Sequence, residues 1–213
     1  MRNIKVLEML NNGRIEELKA ALQDEIYTES LKSKPNKKKR YAAMKKYFTY
    51  YDSGRESLQK PCEVEIEGNK YTSFCNAYSI ALTRETCGEM ELFDNPEHYP
   101  DVSKLITYNG QEGKIDFATV FAEAKSKGYK LKKSEVGFDY KYLMHYGGAY
   151  FKLGLVDSTL GIIDDGNEAI VYHVEGARKP LTITTDIGVC VVMPVFMEGN
   201  PEDEDKIVIE VEG

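Results

Sequence analysis

Apolar side chains recur with two different spacings along this chain, and the change falls near residue 60. Before it the period is helical. Ile4, Leu7, Leu10, Ile15, Leu18, Leu22 and Ile26 follow one another at intervals near three or four, with a break at Asn11-Asn12-Gly13. The pattern predicts two helices, over about 3–11 and about 14–31. Ser33-Lys34-Pro35-Asn36 interrupts it, and Asn36 is suited to cap a third helix over about 37–51. There Tyr41, Met44, Phe48 and Tyr51 make the apolar face, while Lys37, Lys38, Lys39, Arg40, Lys45 and Lys46 cover the rest.

From Pro61 the period is two. Cys62 to Glu67 alternates apolar with acidic residues, Gly68-Asn69 supplies a turn, and Lys70 to Phe74 returns. Ser79 to Thr83 predicts a third strand after the Asn76-Ala77 corner. Residues 88–113, with Pro96 and Pro100, read as an irregular connection. An amphipathic helix is expected over about 116–127, with Asp116 at its start and Gly128 past its end. A short helix at about 139–146 follows, then strands at about 149–156, 159–163, 168–174, 180–184 and 189–195. Asp164-Asp165-Gly166 reads as a turn between two of these, and Ile207, Ile209 and Val211 alternate as one more strand. The fold class is therefore α+β, helices packed on antiparallel sheets.

Composition narrows the function classes. The 213 residues suffice for one domain or two small ones. With 28 basic against 35 acidic residues the formal charge is −7, which excludes a surface basic throughout but leaves room for a local stripe. No apolar run reaches the roughly 18 residues of a membrane span, and the N-terminal stretch has no apolar signal-peptide region, so a cytoplasmic protein without membrane contact is expected. Cys62, Cys75, Cys87 and Cys190 lie far apart, as reduced thiols rather than a disulfide framework. His98, His145 and His173 lack metal-ligand spacing, so no metal or other cofactor is expected. No phosphate-binding loop, dinucleotide fingerprint or Ser-His-Asp set is present.

Five segments resemble, in compatible order, the bacterial sliding clamp, the β subunit of the replicative DNA polymerase. The basic helix at 37–51 with the hairpin after it matches the opening of a clamp domain. Gly68 to Leu82 (GNKYTSFCNAYSIAL) is similar to the family's "G-x-x-L-x-L-x-A-T-D-G-Y-R-L-A", although Ser79 stands where the family has Arg. His98 to Ile106 resembles the interdomain "F-P-D-Y-x-x-L-I/V-P" segment, and Gly137 to Leu143 resembles "G-F-N-x-x-Y-L". The closing stretch from Arg178 to Val195 (RKPLTITTDIGVCVVMPV) resembles the last two clamp strands, a "P-L-x-I" strand and one ending in "V-M-P-V/M".

The resemblance implies a clamp-like domain over 37–196, as one unit or as two half-units, about 37–100 and 101–196, after a helical extension at 1–36 and before an acidic tail at 197–213. It implies a processivity factor, not an enzyme, that binds duplex DNA without sequence choice and assembles as a homo-oligomer with a DNA polymerase or other replication protein as partner. Lys37, Lys38, Lys39, Arg40, Lys45 and Lys46 would face the phosphates, a diffuse and salt-sensitive contact. Leu153, Leu155, Val174, Val192, Met193 and Pro194 are the nearest equivalents of the apolar pocket that takes partner peptides. Oligomer joints are expected at the edge strands 189–195 or 206–212.

Two rivals stand beside this reading. One is a non-catalytic phage or mobile-element accessory protein with a clamp-like fold that does not encircle DNA. The other is a papain-like cysteine peptidase, in which Cys75 would open a helix and His145 or His173 would serve as its base.

Overall fold

The computed structural model describes residues 2–50, 54–106, 108–137, 140–196 and 205–212. Helices α1 (Arg2–Asn11) and α2 (Ile15–Ser30) turn about Asn12-Gly13, and α3 (Pro35–Tyr47) follows with Pro35 in its first turn, where a missing N–H costs nothing. Strands β1 (Cys62–Ile66), β2 (Asn69–Cys75) and β3 (Ser79–Thr83) form a meander. After a connection with two short 3-10 turns come β4 (Gln111–Ile115), α4 (Phe117–Ser126) and the single turn α5 (Lys133–Val136). The remainder is β5 (Tyr142–Tyr146), β6 (Ala149–Lys152), α6 (Leu153–Ile163), β7 (Ala169–His173), β8 (Leu181–Thr185), β9 (Gly188–Val192) and β10 (Ile207–Glu210).

Seven strands make one antiparallel sheet in the order β1-β2-β3-β9-β8-β7-β4, and three make a mixed sheet, β10-β5-β6, in which β10 runs parallel to β5. The large sheet is double-faced. Phe74, Ala81, Ile183, Cys190 and Val192 point to a core shared with α3 and α6, while Cys75, Ile80, Leu82 and Val189 point to a second cluster. Tyr99 and Val102, from the connection between β3 and β4, cover that second face. Helix α6 packs against β3, β8 and β9 on one side and against β5 and β6 on the other, so it is buried nearly all round.

The arrangement repeats internally. The run α3-β1-β2-β3 and the run α6-β7-β8-β9 have the same order, and they meet where β3 pairs with β9, Ala81 opposite Cys190. Tyr47 of α3 donates to the carbonyl of Ser79 in β3 at 2.9 Å, and Thr159 Oγ1 of α6 lies 2.9 Å from Ser79 Oγ, so one serine links both helices to the seam.

Several sequence expectations are corrected. The helix expected at 139–146 is strand β5, closed into a hairpin with β6; its Phe138-Asp139 start lies outside the described residues. The strand expected at 149–156 stops at Lys152, and 153–163, including the strand expected at 159–163, is the single helix α6. A helix apolar on every side has no polar stripe to betray its period. Gly154 and Gly161 also disguise it. They are poor helix formers, yet a Cβ on Gly154 would sit 2.4 Å from the Glu135 carbonyl oxygen and one on Gly161 3.3 Å from Ala43 Cβ of α3. Close approach of neighbouring elements requires them. Asp164-Asp165-Gly166 therefore links a helix to a strand, and the connection expected to run to 113 ends at β4.

Strand β9 lies inside the sheet between β3 and β8, so its backbone groups are not free to join copies as expected for 189–195; β10 does lie at an edge.

Candidate functional site

Basic residues are concentrated on the outer face of α3. A repeat of 3.6 residues sets Lys38 with Lys45 and Lys39 with Lys46 on adjoining stripes, opposite the buried Tyr41, Met44 and Tyr47. All four lysines are exposed, and Lys37 is half-buried. Their charges differ in what they meet. Lys39 Nζ contacts Asp164 at 2.7 Å, and Lys45 Nζ contacts Asp24 of α2 at 2.7 Å. Among the described residues Lys38 and Lys46 have no acidic partner.

Arg40, expected on the same basic surface, is instead turned inward. Its guanidinium grips Glu85 through Nε at 2.9 Å and Nη2 at 2.6 Å, and donates Nη1 to the Asp164 carbonyl at 3.0 Å. Its position among the buried residues of α3 is one that periodicity assigns to the core, and a fork of donors matched to a carboxylate makes that burial tolerable. Tyr51 lies outside the described residues.

Helix α2 meets this region. Tyr41 donates to Asp24 at 2.6 Å, and the Tyr27 and Tyr41 rings meet edge to face at 4.8 Å. Burial and the Asp24 carboxylate together raise the Tyr41 hydroxyl far above the usual phenol range. Asp24 itself is held low by Lys45 and Tyr41, against the opposing effect of burial.

The residues expected to receive a partner peptide separate into two groups. Leu153, Leu155 and Val192 are fully buried and hold the core together. Val174 and Met193 are exposed and Pro194 half-buried. Met193 does border a cleft, of about 290 Å³, whose other walls include Leu58, Ala77, Ile80, Leu105 and Val191. The β2–β3 corner shapes it. Asn76 Oδ1 accepts from the Tyr78 and Ser79 amides at 3.1 and 2.9 Å, which holds Ala77 at φ +71°. Ala77, Ile80 and Leu105 escaped the sequence reading as one site because the β2–β3 corner and Leu105 lie far from Met193 in the chain; only the corner signal Asn76-Ala77 pointed toward them.

Cys75 closes β2 rather than opening a helix. Burial raises its thiol pKa, the reverse of what a nucleophile needs. The imidazoles are engaged elsewhere. His145 Nδ1 meets Glu210 at 2.7 Å, and His173 sits between the Pro180 and Gly147 carbonyls, 3.1 Å from each. Among the described residues no three His, Cys, Asp or Glu side chains gather as metal ligands, and no helix is long and apolar enough to cross a membrane.

Neither models of protein families nor curated proteins nor solved structures yield a significant match to this chain.

Proposed function

We propose that this chain is a sliding-clamp-like processivity factor for a DNA polymerase, holding duplex DNA without regard to its sequence. The observation that carries the reading is the internal repeat of helix and three strands, joined through β3 and β9 with α3 and α6 on one sheet face. Two helices on one face of antiparallel strands are what the resemblance implies for a clamp domain. The exposed lysines of α3 supply diffuse positive charge in an otherwise acidic protein, which suits contact with phosphates that must not fix a register. The cleft beside Met193 is the surface on which a short apolar peptide of the polymerase would dock. Copies would associate through an edge strand, of which β10 is one.

One observation favours the rival accessory protein that does not encircle DNA. Asp24 and Asp164 already neutralise two of the four lysines, and α6, the counterpart of α3, presents no charged face.

The deciding experiment measures binding to a labelled duplex at low salt, and polymerase run length with and without the protein. Weak, sequence-independent binding that disappears when Lys38, Lys39, Lys45 and Lys46 are all changed to Glu supports the clamp reading. Absence of duplex affinity at low salt, with no effect on any polymerase, discards it.

A further inference from the structure

The large sheet ends at β1, and that edge is open. The turn between β1 and β2 has two residues, Glu67 at φ +50° and Gly68 at φ +77°, and is closed by the pair Ile66 and Asn69. A two-residue turn of this kind makes its closing pair hydrogen-bonded, so Ile66, Val64 and Cys62 bond β2. The N–H and C=O groups of Glu63 and Glu65 then face away from the sheet. Pro61 has the same parity, and its carbonyl accepts from the Phe93 amide at 2.7 Å. The chain thus begins to cover this edge, and the 3-10 turn at Pro96–His98 still lies against β1 but adds no ladder bond to it. Among the described residues no backbone amide or carbonyl bonds those of Glu63 and Glu65.

Between the strand and this connection lies a groove of about 350 Å³. One wall is the strand from Glu63 to Ile66; the other runs from Pro96 to Ser103. Its two sides differ in chemistry. Val64 and Ile66 are half-buried against Tyr99 and Val102, whereas Glu63 and Glu65 point to the other face and are exposed. Glu97 and Asp101 stand on the rim. Asp101 is paired with Lys104 at 2.7 Å, but Glu63, Glu65 and Glu97 form no ion pair among the described residues. Lys70, opposite Glu65 in register, does not form one either.

We propose that β1 binds an extended segment of another protein by strand addition, the segment alternating Lys or Arg with apolar side chains. The open ladder supplies main-chain hydrogen bonds. Apolar side chains of the guest lie beside Val64 and Ile66, and its cations lie over Glu63 and Glu65, where opposite charges on neighbouring strands attract. The groove uses neither α3 nor Met193, so this inference and the processivity reading fail independently.

The test uses a fluorescein-labelled peptide of about eight residues alternating Lys and Val, titrated with the full chain by anisotropy. Saturable binding that weakens with salt is expected, with slowed amide exchange at Glu63 and Glu65. The same peptide N-methylated at every second residue, which cannot complete a ladder, should bind at least about tenfold more weakly. So should the wild-type peptide toward Glu65→Pro, a change that an edge N–H facing solvent tolerates. Glu63→Lys with Glu65→Lys should abolish binding, and a peptide alternating Glu and Val should not bind. Equal affinity for the methylated peptide would overturn the proposal, since charge alone would then suffice. So would absence of binding, or concentration-dependent self-association that Glu65→Pro dissolves, which would assign the edge to a second copy of this chain.

Discussion

Tyr47 donates its hydroxyl to the backbone carbonyl of Ser79 at 2.9 Å, in a site where the ring is wholly enclosed. The bond ties α3 to the first residue of β3. Tyr47→Phe keeps the ring, and the carbonyl still accepts from the Asn76 amide at 3.1 Å, so the cost is that of one hydrogen bond, about 1 kcal/mol. Urea unfolding should show a lower midpoint with an unchanged slope. An unaltered midpoint would mean that the contact between α3 and the seam contributes nothing net.

Arg40 and Glu85 should prove asymmetric to substitution. Side-chain exposure of 8% and 18% means that Glu85→Ala strands a guanidinium in a poorly hydrated place, and about 3–5 kcal/mol is expected to be lost. Replacing both by Met and Leu should restore much of that. Thermal melts of the wild type and the two variants decide it, and equal losses for the single and double changes would contradict the account.

The four exposed lysines should not act alike on DNA. Lys38→Glu and Lys46→Glu each remove an unpaired charge and should each flatten the log–log salt slope by roughly 0.9. Lys39 and Lys45 are already paired, so single changes there should do less. Asp24→Asn frees Lys45 and should tighten binding. If Asp24→Asn weakens binding or has no effect, the ion pair does not mask that lysine.

Lys152 offers a pH signature. Burial, and secondarily the charge of Lys206, depress its pKa to about 8, while its ammonium donates to the Gly137 carbonyl at 2.7 Å. Unfolding restores the ordinary value of 10.5, so between these limits the unfolded chain holds the extra proton and folding gains as pH rises. Tyrosines and cysteines raised by burial act in the opposite direction, so the wild-type curve alone is not informative. The difference between wild type and Lys152→Met isolates the effect. Wild type should gain on the variant from pH 8 toward 10.5 and show no further relative change below pH 8. A constant difference would mean that Lys152 stays charged in the fold.

All four thiols are buried, and burial raises each of their pKa values. Native protein should react with an aromatic disulfide reagent only at the rate of unfolding, and release four equivalents once denatured. One fast equivalent in the native state, lost in Cys75→Ala, would revive the peptidase reading.

Much of the fold was legible wherever one side of an element is wet. Helices α1 to α4 and strands β1, β2, β3, β7, β8, β9 and β10 all carry a polar face or a marked turn, so their periods can be read. Helix α6 failed for the opposite reason. Leu153, Leu155, Val156, Leu160, Ile162 and Ile163 are buried on every side, and its two glycines answer to neighbours far along the chain. Strand β5 shows no alternation because Tyr142, Leu143, Met144 and Tyr146 are all buried, so its period of two is hidden. The candidate site divides likewise. The exposed lysines are visible from composition, but the inward turn of Arg40 depends on Glu85, and the cleft at Met193 needs Leu58 and Leu105 folded over the sheet.

The seam where Ala81 faces Cys190 also sets a schedule for synthesis. Strand β3 emerges from the ribosome with its meander complete on one side and nothing on the other. Its partner β9 is about a hundred residues further on, which at translation speeds of about 5–20 residues per second is a wait of roughly 5–20 s. Through that interval the apolar edge from Ile80 to Leu82 must stay unpaired without recruiting a strand from another nascent chain. Slowed translation between residues 84 and 187 would lengthen the exposure. The vulnerability of this protein is thus one of timing, located at the middle of its finished sheet rather than at the borders.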